Sequence, residues 1–309
     1  VTQTPVWLWV AFTLVAAFSQ TFRNLLQRGL TATLGTVGAT HVRFLFGLPC
    51  ALLMVGGLLI VSPPQQPQWQ GVFWLWVTVG GLAQILATAM MLGAMQMKSF
   101  SIATAYVKSE PITVALLAFL CLGEPLGWPA VLAIVVATVG VILMSMPGRS
   151  PGADRAAPPS RSMAPIALGM GAGALFALAA VGFRGGILAL GEDPFFVRAG
   201  LTLVASLLVQ TLVLSTWLAL RSPGTLRAIL RAWRPSLGAG ALGAFASLCW
   251  FVAFALQSPA LVRTLALVEI LFAMVLARRW VAQRESATEI WGIALMVIGV
   301  AALLLTTQS

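Results

Sequence analysis

The run ATAYVKSEPITVALLAFL, residues 103–120, places Lys108, Glu110 and Pro111 inside an otherwise apolar segment. A second carboxylate, Glu269, interrupts the comparable run LVRTLALVEILFAMVLA, residues 261–277. A charge at the centre of a bilayer costs about 2.5–3.5 kcal/mol on insertion scales, so it is kept only where it meets water or a partner. Three jobs are open to Glu110 and Glu269. They can pair structurally with Lys108, Arg263 or a helix terminus, bind the ammonium of a zwitterionic substrate, or carry protons for coupling. Lys108 is either a local counter-ion or a ligand for a substrate carboxylate. On a helix Lys108 and Glu110 point about 200° apart and so face different neighbours, whereas Tyr106 and Glu110 share a face. Pro111 has no N–H, which leaves the Val107 carbonyl without its helical donor and predicts a kink beside the charges.

Other residues stand out by type. Arg23, Arg43, Arg184 and Arg198 read as anchors that snorkel to the membrane faces, with Glu192 and Asp193 near the second pair, or as gates that recruit a substrate carboxylate. Gln20, Gln84 and Trp250 lie mid-span, where polar groups serve helix packing or a ligand. An aromatic substrate would be held by Phe18, Phe22, Phe176, Phe183, Tyr106 and Trp250 with few polar anchors. The expected substrate-binding set is therefore Phe18, Gln20, Phe22, Gln84, Tyr106, Lys108, Glu110, Phe176, Phe183, Trp250 and Glu269. The expected gating set is Arg23, Arg43, Arg184, Arg198 and Pro111. No catalytic residue is expected: His41 is the only histidine, and HExxH, Asp-rich and GxSG signatures are absent. Cys50, Cys121 and Cys249 lie far apart in apolar runs and read as buried, inert thiols; no metal, disulfide or cofactor is expected.

The elements that hold these residues follow from composition. The chain has 309 residues, 60% apolar and 8% charged. Soluble domains carry about 25% charged residues, so this is a polytopic membrane protein. The continuous apolar runs do not alternate as β-barrel strands do, which leaves helices. Cutting at polar and Gly/Pro punctuation predicts ten spans: 5–27, 34–61, 70–97, 100–122, 128–147, 164–190, 194–219, 236–257, 260–280 and 287–306. Tryptophans cluster near the predicted ends, Trp250 apart. The N-terminus lacks a basic n-region and reads as a retained span. The net charge of +10 is spread thinly and forms no aromatic-plus-basic stripe, so nucleic acid is not an expected partner. Arg and Lys gather in the odd-numbered connections, which puts those in the cytoplasm and both termini outside, as in a bacterial inner membrane.

The Pro-, Gly- and Ser-rich stretch at 148–163 divides the chain into 1–147 and 164–309, each with five predicted spans. Phe22-Arg23 parallels Phe183-Arg184, Val42-Arg43 parallels Val197-Arg198, Glu110 parallels Glu269, and Gly140 parallels Gly299, at shifts of 155 to 161 residues. An odd number of spans per half inverts the second half, which is the plan of secondary transporters with a midplane site. Gly runs at 169–173 and 238–245 predict close helix crossings.

At EPITVALLAFLCLGEPLGW…VGVILM, repeated loosely as EILFAMVLARRWVAQRES…VIGV, the chain resembles the drug/metabolite transporter superfamily, EamA type, and is similar to its ten-helix bacterial exporters of aromatic amino acids. Two departures from the pattern are Ile270 in place of Pro111 and Gln283-Arg284-Glu285 in place of Gly-Glu. The resemblance implies an all-α integral membrane protein in which spans 1, 3, 4, 6, 8 and 9 line a central cavity while 5 and 10 brace it. It implies a monomeric exporter of small amphipathic metabolites, above all zwitterionic amino acids. A proton is the candidate coupling ion, and the lipid bilayer is the other partner. The rival readings are a sugar-phosphate, nucleotide-sugar or drug carrier and, in another class, an intramembrane enzyme or channel.

Overall fold

A computed structural model describes residues 7–97, 107–108, 110–145, 163–272 and 287–306. The described residues form helices and no strand. In hydrocarbon every backbone N–H and C=O must be satisfied within its own segment, and continuous apolar runs do this as helices. The elements are α1 Trp7–Leu45, α2 Gly47–Val61, α3 Gly71–Met97, α4 Glu110–Leu122, α5 Trp128–Ser145, α6 Ala164–Ala189, α7 Phe195–Arg221, α8 Pro223–Arg231, α9 Trp233–Leu256, α10 Pro259–Leu265, a 3-10 turn Ala266–Val268, and α11 Ala287–Thr306. Helix resumes at 269–272. Five described stretches are long and apolar enough to cross a membrane: Trp7–Val61, which contains α1 and α2, and then α3, α6, α7 and α9. α4, α5 and α11 contribute shorter apolar helices.

One expected boundary moves. The first predicted span ended at residue 27, but helix runs on to a break at Gly35 (φ 68°, ψ 174°), a conformation open to glycine alone. Gln27, at the predicted end of that span, and Thr31, in the predicted connection, are both buried; Gln27 Nε2 donates to the Ala39 carbonyl across the break at 3.0 Å. Beside Pro111 the described backbone passes from helix at Val107 through a turn at Lys108 into α4, so the expected irregularity falls next to the charges, with Pro111 in the first described turn of α4.

Three helix pairings organise the interior: α1 along α9, α3 along α6, and α5 along α11. The last is a backbone-on-backbone crossing. A Cβ at Gly140 would lie 2.4 Å from the Met296 nitrogen, and one at Gly299 would lie 2.5 Å from the Ala137 nitrogen. These two contacts exchange under one shift: 299 − 140 = 159 and 296 − 137 = 159. In the predicted Gly runs, Gly171 faces Met90 and Gly240 faces Phe46 and Gly47. The large exposed apolar side chains, Leu53, Ile60, Leu120 and Leu305 among them, belong to faces that hydrocarbon covers in a bilayer. Trp9, counted with the interfacial belt, is instead buried. Of the three cysteines only Cys249 is buried; Cys50 is half-buried and Cys121 is exposed on the outer face of α4.

Candidate functional site: a buried charge cluster between the two halves

α1 carries a polar stripe, Gln20, Arg23, Asn24 and Gln27, at the i, i+3, i+4, i+7 spacing of one helix face. That stripe meets the breaks before Glu110 and Glu269. The result is a central cavity lined by Gln20, Arg23, Asn24, Met91, Val107, Lys108, Glu110, Phe176, Arg263 and Glu269. Its free space is about 10 Å³ for water centres, room for roughly one water molecule. The expectation of a wet pocket large enough for an amino acid is corrected on this point: the charges have closed on each other.

Two ion pairs do the closing, and both join residues from opposite sides of the 148–163 stretch. Lys108 Nζ lies 2.5 Å from Glu269 Oε2, and Arg263 Nε lies 3.1 Å from Glu110 Oε1. Lys108 thus pairs with the distant carboxylate and not with Glu110, as their angular separation on a helix requires. All four side chains are nearly inaccessible. Glu269 also accepts from Gln20 Nε2 at 3.0 Å and from Asn24 Nδ2 at 3.5 Å. Asn24 Oδ1 in turn accepts from Arg23 Nη2 at 2.6 Å and Nε at 3.2 Å. Trp250 Nε1 donates to Gln20 Oε1 at 3.0 Å, and the Arg263 guanidinium sits 4.4 Å from the Trp250 ring centre. The two pairs therefore belong to one network. The hydrogen bonds on Glu269 are what make buried charge tolerable in a low dielectric.

The backbone explains the placement of both carboxylates. Glu110 opens α4, and Glu269 directly follows the 3-10 turn Ala266–Val268. The second half carries its 3-10 turn with Ile270 where the first half has Pro111 beside a turn at Lys108.

The other expected residues divide. Gln20, Lys108, Glu110, Phe176 and Glu269 line the cavity; Trp250 touches it through Gln20 and Arg263. Phe18 is half exposed and leans on Phe22 (5.0 Å) and Phe272 (5.5 Å), away from the lining. Phe183 is buried against Phe251 (4.6 Å) and Gly80. Gln84 ties α3 to α7, its Oε1 accepting from Gln210 Nε2 at 2.7 Å. Tyr106 lies outside the described residues. Arg23 and Arg43 are not snorkelling anchors, because both are buried. Arg23 lines the cavity, while Arg43 reaches Thr88 and Ser247 at 3.3 Å each. Gly243 makes their space: a Cβ there would lie 3.2 Å from Arg43 and 3.3 Å from Arg23. Arg184 bonds Glu124 Oε1 at 2.9 Å and the Phe254 carbonyl, and Arg198 Nη1 bonds the Gly191 carbonyl at 3.0 Å. Near them Asp193 accepts from the Gln65 amide at 2.7 Å. His41 is buried, with Nε2 3.0 Å from Ser215 Oγ.

Sequence reasoning passed over Asn24, Met91 and Val107 as lining residues. The stripe spacing on α1 was the signal for Asn24; an apolar side chain such as Met91 gives none. Among the described residues no group of three His, Cys, Asp or Glu side chains could hold a metal ion.

Comparison with known proteins supplies the frame. No curated protein sequence matches the chain significantly. One solved structure, described only as a crystal structure of a protein, shares the fold with TM-score 0.64 at 16% identity, covering 96% of this chain and 97% of its own. The model of the EamA-like transporter family matches residues 7–146. Over residues 7–146 the chain is thus similar to the EamA-like transporter family, in keeping with its long apolar helices.

Proposed function

We propose that the chain is a secondary transporter in which two five-helix halves, 1–147 and 164–309, oppositely oriented, work about the central charge cluster. It exports small amphipathic metabolites, aromatic and other neutral amino acids first among them. The observation that carries this reading is the reciprocity of the two ion pairs. The first half gives Lys108 to Glu269 of the second, and the second half gives Arg263 to Glu110 of the first. The shift that relates the carboxylates, 269 − 110 = 159, also relates the Gly140 and Gly299 contacts. A two-fold relation of this kind allows one assembly to open to either side.

In this conformation the cavity is too small for an amino acid. Opening it separates the halves and pulls on both pairs, and a zwitterion can replace what is lost. Its carboxylate takes over from a glutamate on Lys108, or meets Arg23, whose Nη1 is buried without a hydrogen-bond partner. Its ammonium takes over from a cation on Glu110 or Glu269. Substrate thereby offsets the desolvation that an opened pair would leave uncompensated. The lining residues carry three cations, Arg23, Lys108 and Arg263, against two carboxylates. That balance suits one carboxylate better than the dianionic phosphate of a sugar phosphate.

The test is flux into proteoliposomes of labelled phenylalanine, threonine and a sugar phosphate, with and without a pH gradient. Phenylalanine is expected to move and to respond to the gradient, and Arg23→Gln is expected to abolish its uptake. Movement of the sugar phosphate alone overturns the amino-acid reading; movement of none overturns transport of these classes.

A further inference from the structure

Residues 221–234, RSPGTLRAILRAWR, hold Arg221, Arg227, Arg231 and Arg234, and no Asp or Glu occurs between Asp193 and Glu269. The structure gives this stretch a shape. α8 spans Pro223–Arg231 and is joined to α7 and α9 by the single residues Ser222 and Ala232. With such short joints, α8 is held at the surface where two membrane-crossing helices end.

α8 has two unlike faces. Ile229 is fully buried, and with Leu226 it packs into the cluster that contains Leu30 and Leu34 of α1. A Cβ on Gly38 would lie 3.1 Å from Thr225 and 3.8 Å from Ile229, so α8 rests directly on α1. At about 100° per residue, Arg227 and Arg231 each point about 160° away from Ile229. They therefore leave the protein on the far face, one turn apart. Both are exposed, as are Arg221 and Arg234, and none of the four makes an ion pair among the described residues. Like charges one turn apart repel each other, and no carboxylate among the described residues pairs with them. Beside them Leu230 and Trp233 are exposed, and Arg234 lies 5.5 Å from the Trp233 ring centre.

We infer that α8 is a docking surface for anionic phospholipid headgroups of the leaflet on that side. The layout is that of an interfacial helix, with cations at the level of the phosphates and apolar side chains at the acyl boundary. Guanidinium groups bind phosphodiesters in a fork geometry, so lipid phosphate supplies a fitting counter-charge. Setting the orientation of the chain needs the arginines only as a count. It does not need them ordered on a helix and turned away from the protein. An acidic protein partner would leave Leu230 and Trp233 unexplained, whereas the acyl boundary covers them.

Full-length chain reconstituted in phosphatidylcholine with phosphatidylglycerol, then extracted gently, is analysed by native mass spectrometry for retained lipid. Wild type is expected to retain phosphatidylglycerol over phosphatidylcholine, with a preference that falls as salt rises. R227Q/R231Q is expected to lose roughly tenfold or more of that preference, and R227K/R231K to keep most of it. Thermal melting in pure phosphatidylcholine should be unchanged in both variants, because these side chains are exposed and make no ion pair among the described residues. Equal retention of the two lipids by wild type overturns the inference, as does an undiminished preference in the glutamine pair. Binding of polyglutamate without phosphatidylglycerol preference also overturns it, in favour of an acidic protein.

Discussion

The two cross-half ion pairs use the same chemistry but are built unequally. Glu269 has both oxygens engaged, by Lys108, Gln20 and Asn24. Glu110 meets Arg263 at 3.1 Å, but the geometry is not that of a hydrogen bond: Glu110 Oε1 and Arg263 Nε are both buried without such a partner. Arg263 leans instead on Trp250 and Phe254, at 4.4 and 5.4 Å from their ring centres. Among the described residues Glu269 is thus fixed from several helices at once, whereas Glu110 Oε1 is held by charge with little direction. A fixed carboxylate suits an anchor. A loosely directed one suits exchange with an incoming ligand or proton.

The sharpest way to break this comparison is Glu269→Gln. It strands the Lys108 ammonium in a site where it is 4% exposed. Removing one partner of a buried pair typically costs about 3–5 kcal/mol, chiefly through the charge left behind. Low yield and a lowered melting temperature in detergent are expected. The double variant K108M/E269L should regain most of the stability without regaining transport. A melting temperature that Glu269→Gln leaves unchanged would remove Glu269 from the anchoring role.

Glu110→Gln should cost less, about 1–3 kcal/mol, because Arg263 keeps its two aromatic contacts and loses no directional hydrogen bond. Thermal melting compared side by side checks the ranking. Substrate exchange is expected to persist in this variant while its response to an imposed pH gradient disappears. Loss of all substrate binding would make Glu110 a ligand, and a stability loss equal to that of Glu269→Gln would erase the distinction between the pairs.

Much of this arrangement is legible in the chain because charge is rare in it. Lys108, Glu110 and Glu269 stand out wherever the surrounding residues are apolar, and Arg263 is one of the few cations in reach of Glu110. Helices α3, α6 and α7 fall within two residues of the predicted spans at each end, since Gly, Pro and charge punctuate there. The first boundary is missed because Gln27 and Arg28 look like a loop, although Gln27 is an interior hydrogen-bonding residue. The aromatics divide for a related reason. On helices apolar all round, nothing in the pattern separates the lipid face of Phe18 from the cavity face of Phe176. The size of the cavity is a property of packing between elements far apart in the chain, and no local pattern encodes it.

The smallest expected effect comes from Pro111, and it separates two accounts of why the halves break at the same place. If the proline enforced the break, Pro111→Ala would let helix run upstream through Glu110 and would stabilise the chain. The second half argues otherwise, because its 3-10 turn precedes Glu269 with Ile270 in the corresponding position. The break is then imposed by where the carboxylates must meet their partners, and Pro111 only fits a first turn that needs no N–H. On that account Pro111→Ala changes stability by about 1 kcal/mol or less, and in the unfavourable direction, through the looser unfolded chain. The Lys108–Glu269 coupling in a double-mutant cycle should stay the same when the cycle is repeated on top of Pro111→Ala. A gain in melting temperature together with a weakened coupling would restore the proline as the cause of the break.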